Sequence, residues 1–85
     1  MKEFSYTIKD EQGIHALPAG KIVALAQMFD GRVTMWKDNE AYDLKKLLVV
    51  LRAQVKCGES ITVRVEGDNE DEFADNLAHA FAEYL

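Results

Sequence analysis

The sequence predicts an α+β domain in which a four-stranded antiparallel sheet carries three helices on one face, in the order βαββαβα. Three observations carry that prediction. Apolar and polar residues alternate with a period of two in several short segments, and apolar residues recur at helical spacing in the segments between them. A length of 85 residues with 48% hydrophobic side chains is enough for one modest core, and so for one domain over residues 1–85.

Phe4, Tyr6 and Ile8 alternate with Glu3, Ser5 and Thr7 and make the first strand. Lys9 to Gly13 is a polar stretch ending in glycine. Pro18 is at home only near a helix start, and Ala19, Ile22, Val23, Ala26 and Phe29 follow at helical spacing, so a helix is expected from about Ala16 to Met28. Asp30-Gly31 stops it. Val33 and Met35 alternate with Thr34 and Trp36 as a second strand, Asp38-Asn39-Glu40 turns the chain, and Ala41 to Leu44 forms a short third strand.

Lys45 to Ala53 suits a strand or a helix, because Leu47 to Leu51 is unbroken apolar sequence. The series Leu44, Leu47, Leu48, Leu51, flanked by Lys46 and Arg52, favours a helix lying on the sheet. After a Lys56-Cys57-Gly58 turn, Ile61, Val63 and Val65 alternate with Thr62, Arg64 and Glu66 as a fourth strand with one solvated face. Asp68 or Asn69 caps a last helix, acidic in its first turn, whose buried stripe is Phe73, Leu77, Ala80, Phe81 and Tyr84.

Fifteen acidic against ten basic residues give a net charge of −5, with the basic ones scattered, which argues against nucleic acid as a partner. No apolar run approaches the roughly 20 residues of a membrane span. A single cysteine, Cys57, closes no internal disulfide, and the sequence starts without an apolar signal core, so the expected compartment is the cytoplasm. Neither a phosphate-binding loop nor a metal-ligand spacing is present, so no cofactor and no metal are expected. His79, Cys57 and the acidic cluster Asp68, Glu70, Asp71 and Glu72 read as surface groups.

His15 is the sharpest candidate for chemistry. It falls where a glycine-ended loop meets the helix that Pro18 marks, and a helix start offers unpartnered backbone N–H groups and a positive dipole end to an anion. An imidazole there suits nucleophilic attack on a phosphoryl group; a hydrogen-bonding loop histidine is the commoner use of such a residue.

Gly13-Ile14-His15-Ala16-Leu17-Pro18-Ala19 resembles the active-site segment of the HPr family, the histidine phosphocarriers of the bacterial sugar phosphotransferase system. The resemblance extends over the whole chain, through the Leu44-Lys45 approach to the second helix, the Lys56-Cys57-Gly58 turn, and the last strand and helix. It implies an open-faced β-sandwich and a carrier, not an independent catalyst. His15 would accept a phosphoryl group from phospho-enzyme I and pass it to enzyme IIA domains, with the backbone N–H groups of Ala16 and Leu17 holding the phosphate oxygens. Leu17, Gly20, Lys21, Leu47, Leu48, Leu51 and Arg52 would form the docking face for these partners, and the carrier would be a monomer.

Two positions depart from the family pattern. Leu17 stands where the family has an arginine that helps to neutralise the phosphoryl group, and leucine cannot donate to it. Arg52 is the expected substitute, with Lys21 or Lys56 behind it. Lys46 stands where many Gram-positive members carry a regulatory serine, and lysine accepts no phosphate. The loss of arginine keeps a second reading open, a docking or regulatory module of the same fold with weak or lost phosphotransfer.

Overall fold

A computed structural model describes residues 1–85. The chain runs β1 (Lys2–Thr7), α1 (Ala16–Gln27), β2 (Gly31–Lys37), β3 (Glu40–Asp43), α2 (Leu47–Arg52), β4 (Ser60–Gly67) and α3 (Glu70–Tyr84). The strands form one antiparallel sheet in the order β1-β4-β2-β3, so the most regularly alternating strand lies inside it. This is the expected open sheet with three helices.

Alternation decides which face is covered. Ile61, Val63 and Val65 of β4 and Val33 and Met35 of β2 are buried beneath Ile22, Val23 and Ala26 of α1, Val50 of α2, and Ala74, Leu77, Ala80 and Phe81 of α3. Fully burying one such side chain stabilises the fold by about 1.5–3 kcal/mol. Phe4 and Tyr6 of the edge strand meet the Phe81 ring edge-on, with centroids 5.7 and 5.8 Å apart. The opposite face is polar. Ser5 and Thr7 of β1 share hydrogen bonds with Thr62 and Ser60 of β4, and Arg64 lies over the Trp36 ring while pairing with Glu3.

The turns differ from expectation in detail. Asp38 and Asn39 alone connect β2 to β3, both at positive φ, as a two-residue hairpin requires, so Glu40 already belongs to β3. Helix α2 starts two residues later than expected, because Asp43 takes the Lys45 N–H on Oδ1 and the Lys46 N–H on its carbonyl, holding Lys46 extended. Within α2 the inward residue is Val50, with Leu47 and Leu51 half-buried against the core and Leu48 facing solvent. The expected stripe therefore loses Leu48 to the outer face. Asn69 occupies the start of α3 but caps nothing with its side chain, since its backbone is left-handed at φ 62°. The Glu70 carboxylate instead accepts the Gly67 N–H and pairs with the Met1 amino group, and these two partners hold its carboxyl below the usual glutamate range.

Candidate functional site at the start of helix α1

The loop between β1 and α1 is built on its backbone. The Asp10 carboxylate accepts the Gln12 N–H at 2.9 Å and its carbonyl accepts the Gly13 N–H at 2.9 Å, a tight turn that begins with aspartate and ends with glycine. Gly13 has φ +71°, and a Cβ there would lie closer than 3.0 Å to the Val55 carbonyl oxygen. Only glycine fits. The next residue, Ile14, is buried and donates its N–H to that same carbonyl at 2.9 Å.

His15 follows as the N-cap of α1, with an extended backbone and a side chain that makes no capping bond. Its carbonyl accepts the Ala19 N–H at 3.0 Å, which starts the helix. Pro18 has no N–H, so of the first helical amides only Ala16 and Leu17 are left without an acceptor, on exposed residues beside the ring. The imidazole is 32% exposed. Its Nε2 lies 3.5 Å from Asp10 Oδ2, whereas Nδ1 has no partner. A partly exposed ring, one free nitrogen and two free amides make a place where a tetrahedral oxyanion can bond to nitrogen and be held by backbone donors.

The cations expected nearby differ in their freedom. Arg52 ends α2, is exposed, and forms no ion pair or hydrogen bond through its guanidinium. The segment after it runs directly to the Val55 carbonyl bonded by Ile14, and Lys37 Nζ clamps it by donating to the carbonyls of Ala53 and Gln54 at 3.1 and 3.2 Å. Lys56 is exposed, and its Cα packs over Gly13. Lys21 is drawn aside, with its ammonium 4.8 Å from the centre of the Tyr84 ring.

Of the apolar candidates, Leu17 is 78% and Leu48 69% exposed, on helices that pack against each other. Gly20 leaves open space on α1, whereas Leu47 and Leu51 are half-buried and also serve the core. Lys46 is exposed at the N-cap of α2. Asp10 is the residue that the sequence reading passed over; the signal was an aspartate three residues before a glycine, which often marks a turn closed on its own side chain. No helix is long and apolar enough to cross a membrane.

An open antiparallel sheet with a histidine at the head of its first helix defines a class, and comparison with known proteins places the chain within it. The profile for the PTS HPr component phosphorylation site matches residues 2–83. The phosphocarrier protein HPr of Lysinibacillus sphaericus is 36% identical over 83 residues, 98% of this chain and 94% of that one. A histidine-containing phosphocarrier protein of Mycoplasma superposes with a TM-score of 0.92 at 26% identity, covering 96% of this chain and 93% of its own. HPr from Thermoanaerobacter tengcongensis superposes with a TM-score of 0.88 at 31% identity over the full length of both chains. The chain belongs to the HPr phosphocarrier family of the phosphotransferase system.

Proposed function

We propose that this chain is a phosphoryl carrier of bacterial sugar uptake, which accepts a phosphoryl group on His15 from phospho-enzyme I and hands it to enzyme IIA domains. The observation that carries the reading is the unpartnered Nδ1 of His15 beside the free N–H groups of Ala16 and Leu17. The Nδ1 lone pair forms the new N–P bond while the bond to the donor breaks and its electron pair stays with the donor. Delivery to the next protein is the same step in reverse. The amides hold phosphate oxygens throughout, so the chain supplies an acceptor and a cradle, and its partners supply the rest of the chemistry.

Arg52 would replace the family's arginine: it ends α2 without an ion pair, three residues before the Val55 carbonyl that Ile14 bonds. Leu17, Gly20, Lys21, Leu47, Leu48, Leu51 and Arg52 form the docking face. The carrier works as a monomer in the cytoplasm, where its partners are. The exposed leucine at position 17 favours a second reading, a docking module that has given up transfer. Intact mass after incubation with enzyme I, magnesium and phosphoenolpyruvate separates the two. One acid-labile phosphoryl group, absent in His15→Ala, is expected of the carrier; no gain beside an active control carrier would leave the module. Arg52→Ala should slow uptake, and an unchanged rate would remove Arg52 from the site.

A further inference from the structure

We infer that Asp10 is a positioning residue for His15: it keeps the proton on Nε2, so that the lone pair sits on Nδ1, where the phosphoryl group is taken up. Its functional consequence rests on the carrier reading above. Asp10 is held from several sides. Its N–H donates to the Leu85 oxygen at 2.8 Å, its carbonyl accepts from Gly13, and its Oδ1 accepts from Gln12. That leaves Oδ2 as the one oxygen without a fixed partner, and it stands 3.5 Å from Nε2, with the two side chains only 28% and 32% exposed.

The other charged groups of this region do not compete. Lys9 and Glu11 on the same loop, Lys56 on the following turn and Arg52 at the end of α2 form no ion pair with either residue. Glu59 is taken by Lys37 and by the Lys56 N–H, Lys21 by the Tyr84 ring, and the Cys57 sulfur lies against the Lys9 carbonyl at 3.7 Å. The Leu85 carboxylate, which accepts the Lys9 and Asp10 N–H groups, forms no ion pair with the ring, so Asp10 is the carboxylate paired with His15.

Chemistry gives the contact a use. When neutral His15 attacks through Nδ1, the proton already on Nε2 stays there and the ring becomes a phosphorylated cation. No proton has to leave. A carboxylate at the Nε2 edge stabilises that developing charge, and it lies across the ring from the phosphate oxygens, which it would repel at closer range. A separation of 3.5 Å in the resting protein is longer than a good hydrogen bond, and such contacts tighten as charge develops.

The test compares wild type with Asp10→Asn and Asp10→Ser, each able to accept the Gln12 N–H and so to keep the turn. Asparagine removes the charge and can turn an N–H towards Nε2; serine is too short to reach the ring. Two readouts are taken: the kinetics of phosphoryl uptake from phospho-enzyme I, and the tautomer of the neutral His15 ring from its nitrogen chemical shifts. We expect kcat to fall about tenfold with KM unchanged in both variants, and the Nε2–H form to lose population, most in Asp10→Asn. A wild-type tautomer in both variants overturns the inference whatever the rate does, and so does a shifted tautomer with an unchanged rate. If the wild type takes up no phosphoryl group, the carrier reading falls, and the nitrogen shifts alone decide whether Asp10 sets the ring.

Discussion

Ile14 donates its backbone N–H to the Val55 carbonyl at 2.9 Å, and this bond joins the two halves of the candidate site. One partner is the residue before His15. The other follows α2 by three positions, in the segment that carries Arg52 and that Lys37 clamps. The ring and its candidate cation are thus placed by backbone, through a loop whose close approach leaves no room for a side chain at position 13.

Gly13→Ala should therefore damage fold and site together. The new Cβ meets the Val55 carbonyl, and alanine is strained at φ +71°. A loss of about 1–3 kcal/mol is expected from the strain and the displaced bond. Urea unfolding measures it, and uptake by His15 should fall further than the unfolded fraction accounts for. Stability within error of wild type would show that the loop yields easily.

Most of the fold was legible because its strands and long helices bury one face each, and burial writes period two or period 3.6 into the residues. Where an element is too short to repeat, the pattern stops deciding. Helix α2 has six residues, and its leucine run fits several rotations about the helix axis; the turn at Asp43 picks the one that leaves Leu48 outside. His15 was legible from the glycine and proline around it. Asp10 was not, because its role depends on a turn that folds the carboxylate back to a residue five positions on.

Glu59 gives the site's supporting turn a dependence on pH. The Lys56 N–H bonded to its carboxylate at 2.7 Å, and then the Lys37 ammonium 3.3 Å away, hold its carboxyl below the ordinary value of 4.5, against a smaller opposing effect of desolvation. A carboxyl lowered in the folded state adds stability that is fully present above its unfolded pKa and is lost as pH falls through the folded one. The Tm of the wild type should thus decline below pH 4.5 more steeply than that of Glu59→Gln, with the variant slightly less stable at neutral pH. Parallel Tm profiles for the two proteins would show that the clasp on the Lys56 turn adds nothing.

Leu48 and Val50 are two residues apart and should behave oppositely. Val50 is 2% exposed, so Val50→Ala removes buried methyls and leaves a cavity, at a cost of about 2 kcal/mol. Leu48→Ala, at a site 69% exposed, should change stability by less than about 0.5 kcal/mol. If the outer face of α2 docks partners, Leu48→Ala instead raises the KM for enzyme I, since apolar anchors lose affinity on truncation. An unchanged KM would take Leu48 out of the docking face.

Leu17→Arg tests what the missing guanidinium is worth. Position 17 is 78% exposed and immediately follows the first free amide of α1, so an arginine can be accommodated with stability unchanged within about 0.5 kcal/mol. A hydrogen bond to a charged group is worth about 1.5–3 kcal/mol, and if most of it is realised as the phosphoryl group arrives, uptake should speed up by about tenfold to a hundredfold. That gain should grow in an Arg52→Ala background if Arg52 already covers the same charge in the wild type, or stay the same if each cation acts on its own. Uptake kinetics of the two single variants and the double variant, measured together, give the coupling directly. A rate in Leu17→Arg no faster than wild type would mean that the two backbone amides and the cations already present suffice, and that the leucine is kept for the partner surface it covers.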